Sequence, residues 1–190
     1  MKIERILDTL KAQDYSIFNL DQLYDLLLGF DLSQLDHTTI APVIEDQKNY
    51  ARNILMMDPM EVVILAWPPG VASAVHHHVG FWGVVAVLEG ELDNISYRLE
   101  GDVLRESISE RGLPGGLIRE EDGVIHMLKN PSDKVAITAH FYCPALQDFD
   151  GMKIFDLEEG RIGVLNAEAQ TASWEEPEEH FASIKEDGFS

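Results

Sequence analysis

The first fifty residues carry apolar side chains at helical spacing. Positions i, i+3, i+4 and i+7 are apolar over residues 3–10 and again over residues 20–27, which is typical of helices with one buried face. Asn19 and Gln22 are spaced to form a reciprocal cap at the start of the second helix. A third short helix is expected over residues 40–47, where Pro42 limits its start. We expect these helices to pack as a lid on a sheet.

From about Tyr50 the pattern changes to short runs rich in β-branched residues. Turn signals bound these runs, and no helical pattern separates them. The runs cover residues 62–65, 84–88, 95–99, 124–128, 135–143, 153–157 and 162–165. Short strands joined by close turns predict an antiparallel sandwich or barrel. The expected fold class is therefore mainly β, with N-terminal α-helices.

Length and composition limit the classes of protein that this chain can belong to. Its 190 residues suffice for one structural domain, with N-terminal helices over 1–49, a barrel over 50–166 and an irregular acidic tail over 167–190. The net charge of −20, from 34 acidic against 14 basic residues, argues against nucleic acid or an anionic membrane surface as a partner. A lone Cys143 excludes an internal disulfide. The charged N-terminus is unlike a signal peptide, so a cytoplasmic protein is expected.

The candidate chemistry lies in the histidines of the β zone. On a strand, His76 and His78 point to one face, with about 7 Å between their backbone positions, and His77 points to the other face. Two imidazoles on one face can bind one metal ion, and the third ligand must then come from a distant strand. The alternative is that three adjacent histidines form a solvated loop.

Two motifs around these histidines resemble the paired signatures of the cupin barrel. They comprise Gly70, His76, His78 and Gly90, followed by Gly115, Glu121, Gly123, His126 and Asn130. The resemblance implies a jelly-roll-like cupin barrel in which His76, His78 and His126 bind a metal. Gly83 stands where the first signature normally carries a glutamate ligand, which would leave three neutral imidazoles and open coordination positions. Spacing alone does not choose iron over zinc.

Four segments resemble the cysteine dioxygenase type I family of thiol dioxygenases, in its bacterial form. They are Tyr-Ala-Arg-Asn at 50–53, the metal segment at 67–78, His-Met-Leu-Lys-Asn-Pro at 126–131 and Thr-Ala-His-Phe-Tyr-Cys-Pro at 138–144. The resemblance implies Fe(II) as the cofactor. It also implies that Arg52, with Tyr50, binds the substrate carboxylate. Because Gly83 replaces the cysteine that crosslinks to the tyrosine in animal members, Tyr142 is expected to be a free phenol.

Thr138, His140 and Tyr142 alternate along one predicted strand and therefore share a face, while Cys143 faces the other side. The family resemblance implies that the hydroxyl, imidazole and phenol form a catalytic hydrogen-bonded relay beside the iron. The alternative is a satisfied polar network in the core without a catalytic part, since unpaired buried polar groups cost roughly 1–3 kcal/mol each.

The function that the resemblance implies is oxidation of the thiol of L-cysteine by O2 to cysteine sulfinic acid. The alternatives are a dioxygenase for 3-mercaptopropionate or another small thiol acid, a different metal enzyme on the same barrel, and a cupin that binds a metal without catalysis. Arg52 favours cysteine, because relatives that prefer 3-mercaptopropionate generally lack this arginine. The sequence gives no indication of the oligomeric state.

Overall fold

A computed structural model describes residues 1–189 of the chain. Helices α1 (Glu4–Lys11) and α2 (Leu20–Leu28) form where the apolar spacing predicts them. The predicted cap of α2 is present, because the Asn19 side chain accepts from the Gln22 backbone and the Gln22 side chain accepts from the Asn19 backbone. A 3₁₀ helix, Leu32–Gln34, follows.

The third helix expected over residues 40–47 is wrong. The chain makes a single turn there, in which the backbone amides of Ile40 and Ala41 both donate to the His37 carbonyl. Pro42 follows at once and has no N–H to extend the turn, so no helix propagates.

The rest of the described chain is mainly β-sheet, as predicted. The strands are β1 (Ala51–Met56), β2 (Glu61–Trp67), β3 (Val75–His77), β4 (Trp82–Glu89), β5 (Leu92–Glu100), β6 (Val103–Gly112), β7 (Leu117–Glu120), β8 (Ile125–Lys129), β9 (Ala136–Cys143), β10 (Lys153–Asp156), β11 (Arg161–Leu165) and β12 (Phe181–Lys185). One antiparallel sheet has the order β1-β2-β9-β4-β7, and the other has the order β12-β11-β10-β3-β8-β5-β6. Two antiparallel sheets with this strand crossing form the expected cupin-type barrel.

The central strands of the five-stranded sheet, β2, β9 and β4, are buried on both faces. Along β2, Val62, Ile64 and Ala66 pack in the core cluster that contains both helices. The alternating residues Val63 and Leu65 face the interior between the sheets. Because both faces are buried, these strands appear in the amino-acid sequence as continuous apolar runs.

The acidic tail is not irregular throughout. Residues Phe181–Lys185 form β12, which pairs antiparallel with β11 at the edge of the seven-stranded sheet. Four of its five residues are exposed, so the strand carries little of the apolar pattern by which strands are recognised in a sequence.

No helix in the described part of the chain combines the length and the apolar character needed to cross a membrane.

The contact between helix and sheet gives a stability prediction. Leu23 of α2 is fully buried, whereas Leu28 of the same helix is 58% exposed. Leu23→Ala should lower the free energy of unfolding by about 2–5 kcal/mol, because it leaves a cavity between helix and sheet. Leu28→Ala, the matched control, should change it by less than about 0.5 kcal/mol. Urea denaturation measures both values, and equal losses would contradict the packing described here.

Candidate metal centre

The structure brings together the three histidines that the motifs single out. Antiparallel pairing of β3 with β8 sets His76 directly opposite His126, and His78 follows the end of β3. One ring nitrogen from each lies within 4.8 Å of the other two. The Nε2 atoms of His78 and His126 are 3.0 Å apart. This matches the separation of about 3 Å expected for two imidazoles bound at right angles to one ion, with bonds of about 2.0–2.1 Å.

Hydrogen bonds fix the tautomers of two of these histidines. Nδ1 of His126 lies 2.8 Å from the Asn94 side-chain oxygen, and Nδ1 of His76 lies 3.0 Å from the Ala74 carbonyl. Both partners are acceptors, so each Nδ1 carries the proton and donates it. The Nε2 lone pair of each ring is therefore free for a metal, as is usual for histidine ligands that are oriented by a second hydrogen bond.

The electrostatics also fit a cation. Burial, reinforced by the neighbouring imidazoles, lowers the pKa of His76, His78 and His126 below the ordinary value. All three are therefore neutral near pH 7, which is the form that binds a metal. Their lone pairs converge in a buried space, where one divalent ion could accept all of them. The residues present thus fit a metal ion.

His77 lies on the opposite side of β3 from the cluster, as predicted. Its Nδ1 accepts a hydrogen bond of 2.9 Å from the backbone amide of Lys153, at the start of β10. His77 therefore joins two strands and is not part of the group that could hold a metal.

The three polar residues of β9 form a continuous hydrogen-bonded chain. Thr138 Oγ1 lies 2.8 Å from His140 Nε2, and His140 Nδ1 lies 2.8 Å from the Tyr142 hydroxyl. A fourth member, which the sequence did not indicate, is Trp67 of β2, whose indole N–H donates to Thr138 Oγ1 at 2.9 Å. Trp67 is brought there because it pairs with Ala136 at the end of the β2–β9 ladder.

Trp67 sets the direction in which protons are donated along this series of hydrogen bonds. The indole can only donate, so Thr138 accepts from it and directs its own proton to Nε2 of His140. Burial lowers the pKa of His140 to about 3, so the imidazole is neutral and its single proton lies on Nδ1. That proton is donated to the Tyr142 oxygen, which leaves the phenolic O–H free to donate elsewhere. Burial, with Glu120 nearby, raises the pKa of Tyr142 well above its usual value, so the phenol keeps its proton.

Gly83 is required by the position of the Tyr142 ring. A Cβ at Gly83 would lie 2.4 Å from the Cδ1 atom of Tyr142 and 2.4 Å from the Phe141 carbonyl oxygen. Such contacts are closer than real side chains make. A larger residue at position 83 would therefore displace the ring from its place beside His78.

A cavity of about 90 Å³ opens onto the cluster. This is far smaller than the roughly 300–1,000 Å³ typical of sites for drug-sized ligands, so the site suits a small molecule. His76, His78, His140 and Tyr142 line the cavity together with both predicted substrate residues, Tyr50 and Arg52. The Tyr50 ring packs on Trp67 with 4.6 Å between ring centroids. Arg52 is exposed and donates to the Gln170 carbonyl of the C-terminal segment at 3.3 Å.

A carboxylate that the sequence did not single out lines the same cavity. Glu61 begins β2 and accepts a hydrogen bond of 3.2 Å from the Leu146 backbone amide. Burial raises the pKa of Glu61, and the Arg52 guanidinium acts in the opposite direction. The cavity therefore contains groups of both signs, a guanidinium and a carboxyl.

These features define the protein as a cupin-fold protein with a candidate metal site made of three histidines. A family model for cysteine dioxygenase type I matches residues 7–156 of the chain. The chain therefore belongs to the cysteine dioxygenase type I family.

Solved structures with similar folds are distant in sequence. An uncharacterized conserved protein with a double-stranded β-helix domain from Klebsiella pneumoniae is 16% identical, with a TM-score of 0.48 over 73% of this chain and 89% of that one. A sugar phosphate isomerase from a cupin superfamily, from Silicibacter pomeroyi, is 14% identical, with a TM-score of 0.48 over 72% and 76%. An oxalate oxidase is 18% identical, with a TM-score of 0.47, and the match covers 60% of each chain.

The hydrogen bond from His126 to Asn94 yields a prediction about metal binding. Asn94→Ala removes the acceptor that holds the proton on Nδ1 of His126 and should weaken metal binding about 10–100-fold. Asn53→Ala is the control, because Asn53 bonds the Ile40 carbonyl outside the cluster and should leave the affinity unchanged. Titration of the metal-free protein with Co²⁺ measures both constants, and equal affinities would contradict the role of Asn94.

Proposed function

We propose that the chain is an Fe(II)-dependent dioxygenase that oxidises L-cysteine to cysteine sulfinic acid. The observation that carries the proposal is one small cavity lined by two histidines of the cluster, His76 and His78, together with Arg52 and Tyr142, in a member of the cysteine dioxygenase type I family. In the reaction, the thiol and one O2 give the sulfinic acid. Two S–O bonds form, sulfur loses four electrons and dioxygen accepts them.

His76, His78 and His126 would hold the iron, which when bound supplies a site for the substrate thiolate and for dioxygen. Neutral imidazoles leave the positive charge of the ion uncompensated, and this favours the thiolate over the thiol near pH 7. The protein's part is to keep these rings unprotonated and oriented, through burial and through Asn94 and the Ala74 carbonyl.

Arg52 would bind the carboxylate of the substrate. The guanidinium presents paired N–H donors that match a carboxylate in bidentate geometry. It also provides local positive charge in a protein of net charge −20, which otherwise repels anions. Arg52 thereby holds one end of the substrate while the thiol end faces the histidines.

Glu61 supports cysteine over 3-mercaptopropionate. A carboxyl group in a small cavity can accept a hydrogen bond from the substrate amino group, and 3-mercaptopropionate has no such group. A site with both Arg52 and Glu61 suits a substrate such as cysteine, in which a carboxylate and an amine are attached to the same carbon.

Tyr142 would donate its O–H to a substrate bound in the cavity that it lines. The hydrogen-bonded series from Trp67 through Thr138 and His140 holds the phenol in place. Side chains such as Phe81, whose ring stacks on His78 with 4.2 Å between centroids, cover the cluster with apolar surface and limit the entry of water.

Oxygen consumption by the iron-loaded protein tests the function. We expect uptake with L-cysteine, slower uptake with 3-mercaptopropionate, which lacks the amine, and slower uptake with cysteamine, which lacks the carboxylate. Chromatography should identify cysteine sulfinic acid as the product. Faster turnover of 3-mercaptopropionate than of cysteine would make 3-mercaptopropionate the preferred substrate. Absence of oxygen uptake with all three thiols would contradict the proposal that the protein is a thiol dioxygenase.

The role of Arg52 has its own test. Arg52→Ala should raise KM about tenfold or more for cysteine and for 3-mercaptopropionate, because a charge-assisted hydrogen bond is worth about 1.5–3 kcal/mol. It should leave the KM for cysteamine nearly unchanged. Arg98→Ala, at an exposed arginine of β5, is the control. A similar rise in KM for all three thiols would contradict carboxylate binding by Arg52.

A further inference from the structure

A loop near the C-terminus forms part of the wall of the substrate cavity. Residues 166–180, which we call the wall loop, join β11 to β12. The ends of the loop are tied together, because the Asn166 backbone amide donates to the His180 carbonyl at 3.0 Å and the Asn166 side chain donates to the Glu179 carbonyl at 2.7 Å. A surface loop with joined ends is a compact unit of structure. Within it, Ala172 lines the cavity.

The wall loop also supplies the hydrogen-bond partner of Arg52. The Arg52 side chain is exposed, and the one hydrogen bond that its guanidinium makes within residues 1–189 goes to the Gln170 carbonyl at 3.3 Å. A guanidinium has five N–H donors, so this bond orients the group and leaves donors for a carboxylate. The position of the Gln170 carbonyl therefore sets the orientation of Arg52.

A single carboxylate holds this part of the wall loop. Oε1 of Glu176 accepts from the Gln170 backbone amide at 3.2 Å and from the Thr171 hydroxyl at 2.6 Å. Oε2 lies 2.6 Å from Nδ1 of His180, and because a carboxylate accepts, Nδ1 carries the proton and donates it. Burial raises the pKa of Glu176, but the bonds from Thr171 and His180 outweigh it. The pKa therefore lies below its ordinary value, and Glu176 is charged near pH 7.

Apolar packing alone would not fix the direction of the Gln170 carbonyl. Ala169 and Ala172 pack in the apolar cluster that includes Phe81, which keeps the wall loop on the barrel. Apolar burial is non-directional, however. The backbone amide and the Thr171 hydroxyl that bond Glu176 lie on either side of the Gln170 carbonyl along the chain. These bonds therefore set where that carbonyl points.

We propose that Glu176 is a positioning residue for substrate binding. By holding the wall loop at Gln170, it places the carbonyl that orients Arg52 towards the carboxylate of the substrate. Glu176 is not among the residues that line the cavity, so it acts through Arg52. This role rests on the proposed function, because it requires that Arg52 binds a substrate carboxylate in this cavity.

Anaerobic calorimetry with the iron-loaded protein tests this role without turnover. Glu176→Ala should bind cysteine about three- to tenfold more weakly than the wild type, because Arg52 must then be ordered when the substrate binds. Cysteamine, which has no carboxylate, should bind both proteins equally. Glu175→Ala is the matched control, because Glu175 is the adjacent residue and is exposed. It should bind cysteine at least as tightly as the wild type, since losing an acidic side chain weakens the repulsion of a carboxylate.

A double-mutant cycle separates action through Arg52 from a general loosening of the fold. In the Arg52→Ala background, Glu176→Ala should weaken cysteine binding by less than about twofold, because the group that Glu176 positions is absent. A full and additive loss of affinity in that background would contradict a role that passes through Arg52.

Hydrogen–deuterium exchange of the metal-free protein tests the hold on the wall loop directly. Peptides that cover residues 166–176 should exchange faster in Glu176→Ala, because the Gln170 amide loses its acceptor, and peptides of β9 should not change. Thr171→Val removes one of the donors to Glu176 and should give smaller changes of the same sign in exchange and in cysteine binding. If Glu176→Ala does not fold, Thr171→Val decides.

Wild-type cysteine affinity or unchanged exchange of the wall loop in Glu176→Ala would overturn the proposal. If the wild type itself binds no cysteine, the proposed function fails, and the role of Glu176 fails with it. Cysteine binding that is present in the wild type and equal in the variant contradicts the role of Glu176 alone.

Discussion

Three neutral imidazoles that converge in a buried space are the constraint on which the rest of this structure depends. The pairing of β3 with β8 places His76 opposite His126, and the chain continues from β3 into His78. Acceptors on the far side of two rings direct their lone pairs inward. Neutral rings with converging lone pairs are the form in which histidines bind a metal, so the arrangement fits a cation.

The two sheets contribute different residues to the site. The seven-stranded sheet carries the histidine cluster, and the five-stranded sheet carries Arg52, Glu61 and the polar chain that ends at Tyr142. The cavity forms where the inner faces of the two sheets meet. The N-terminal helices pack on the outer face of the five-stranded sheet, against β9 among other strands, and none of their residues lines the cavity. Precise placement of polar groups here follows from strand register, which is fixed over seven consecutive pairs between β2 and β9.

Local periodicity predicted the features that lie within one element. The period of two placed His76 and His78 on one face of a strand, and it placed Thr138, His140 and Tyr142 together on one face of β9. Neighbours across strands could not be predicted, because the register between distant strands is not encoded locally. Trp67, Asn94 and Glu120 were missed for that reason. Strand β6 was missed because seven of its ten residues are exposed and it lacks an apolar run.

The central proposal is that this histidine cluster would hold a metal and that both atoms of dioxygen end on the sulfur of cysteine. Mass spectrometry of the product that the iron-loaded protein forms from cysteine under ¹⁸O₂ tests it most directly. The account predicts cysteine sulfinic acid with both sulfinate oxygens labelled. A product with one labelled oxygen or none, or cystine with hydrogen peroxide in its place, would contradict it.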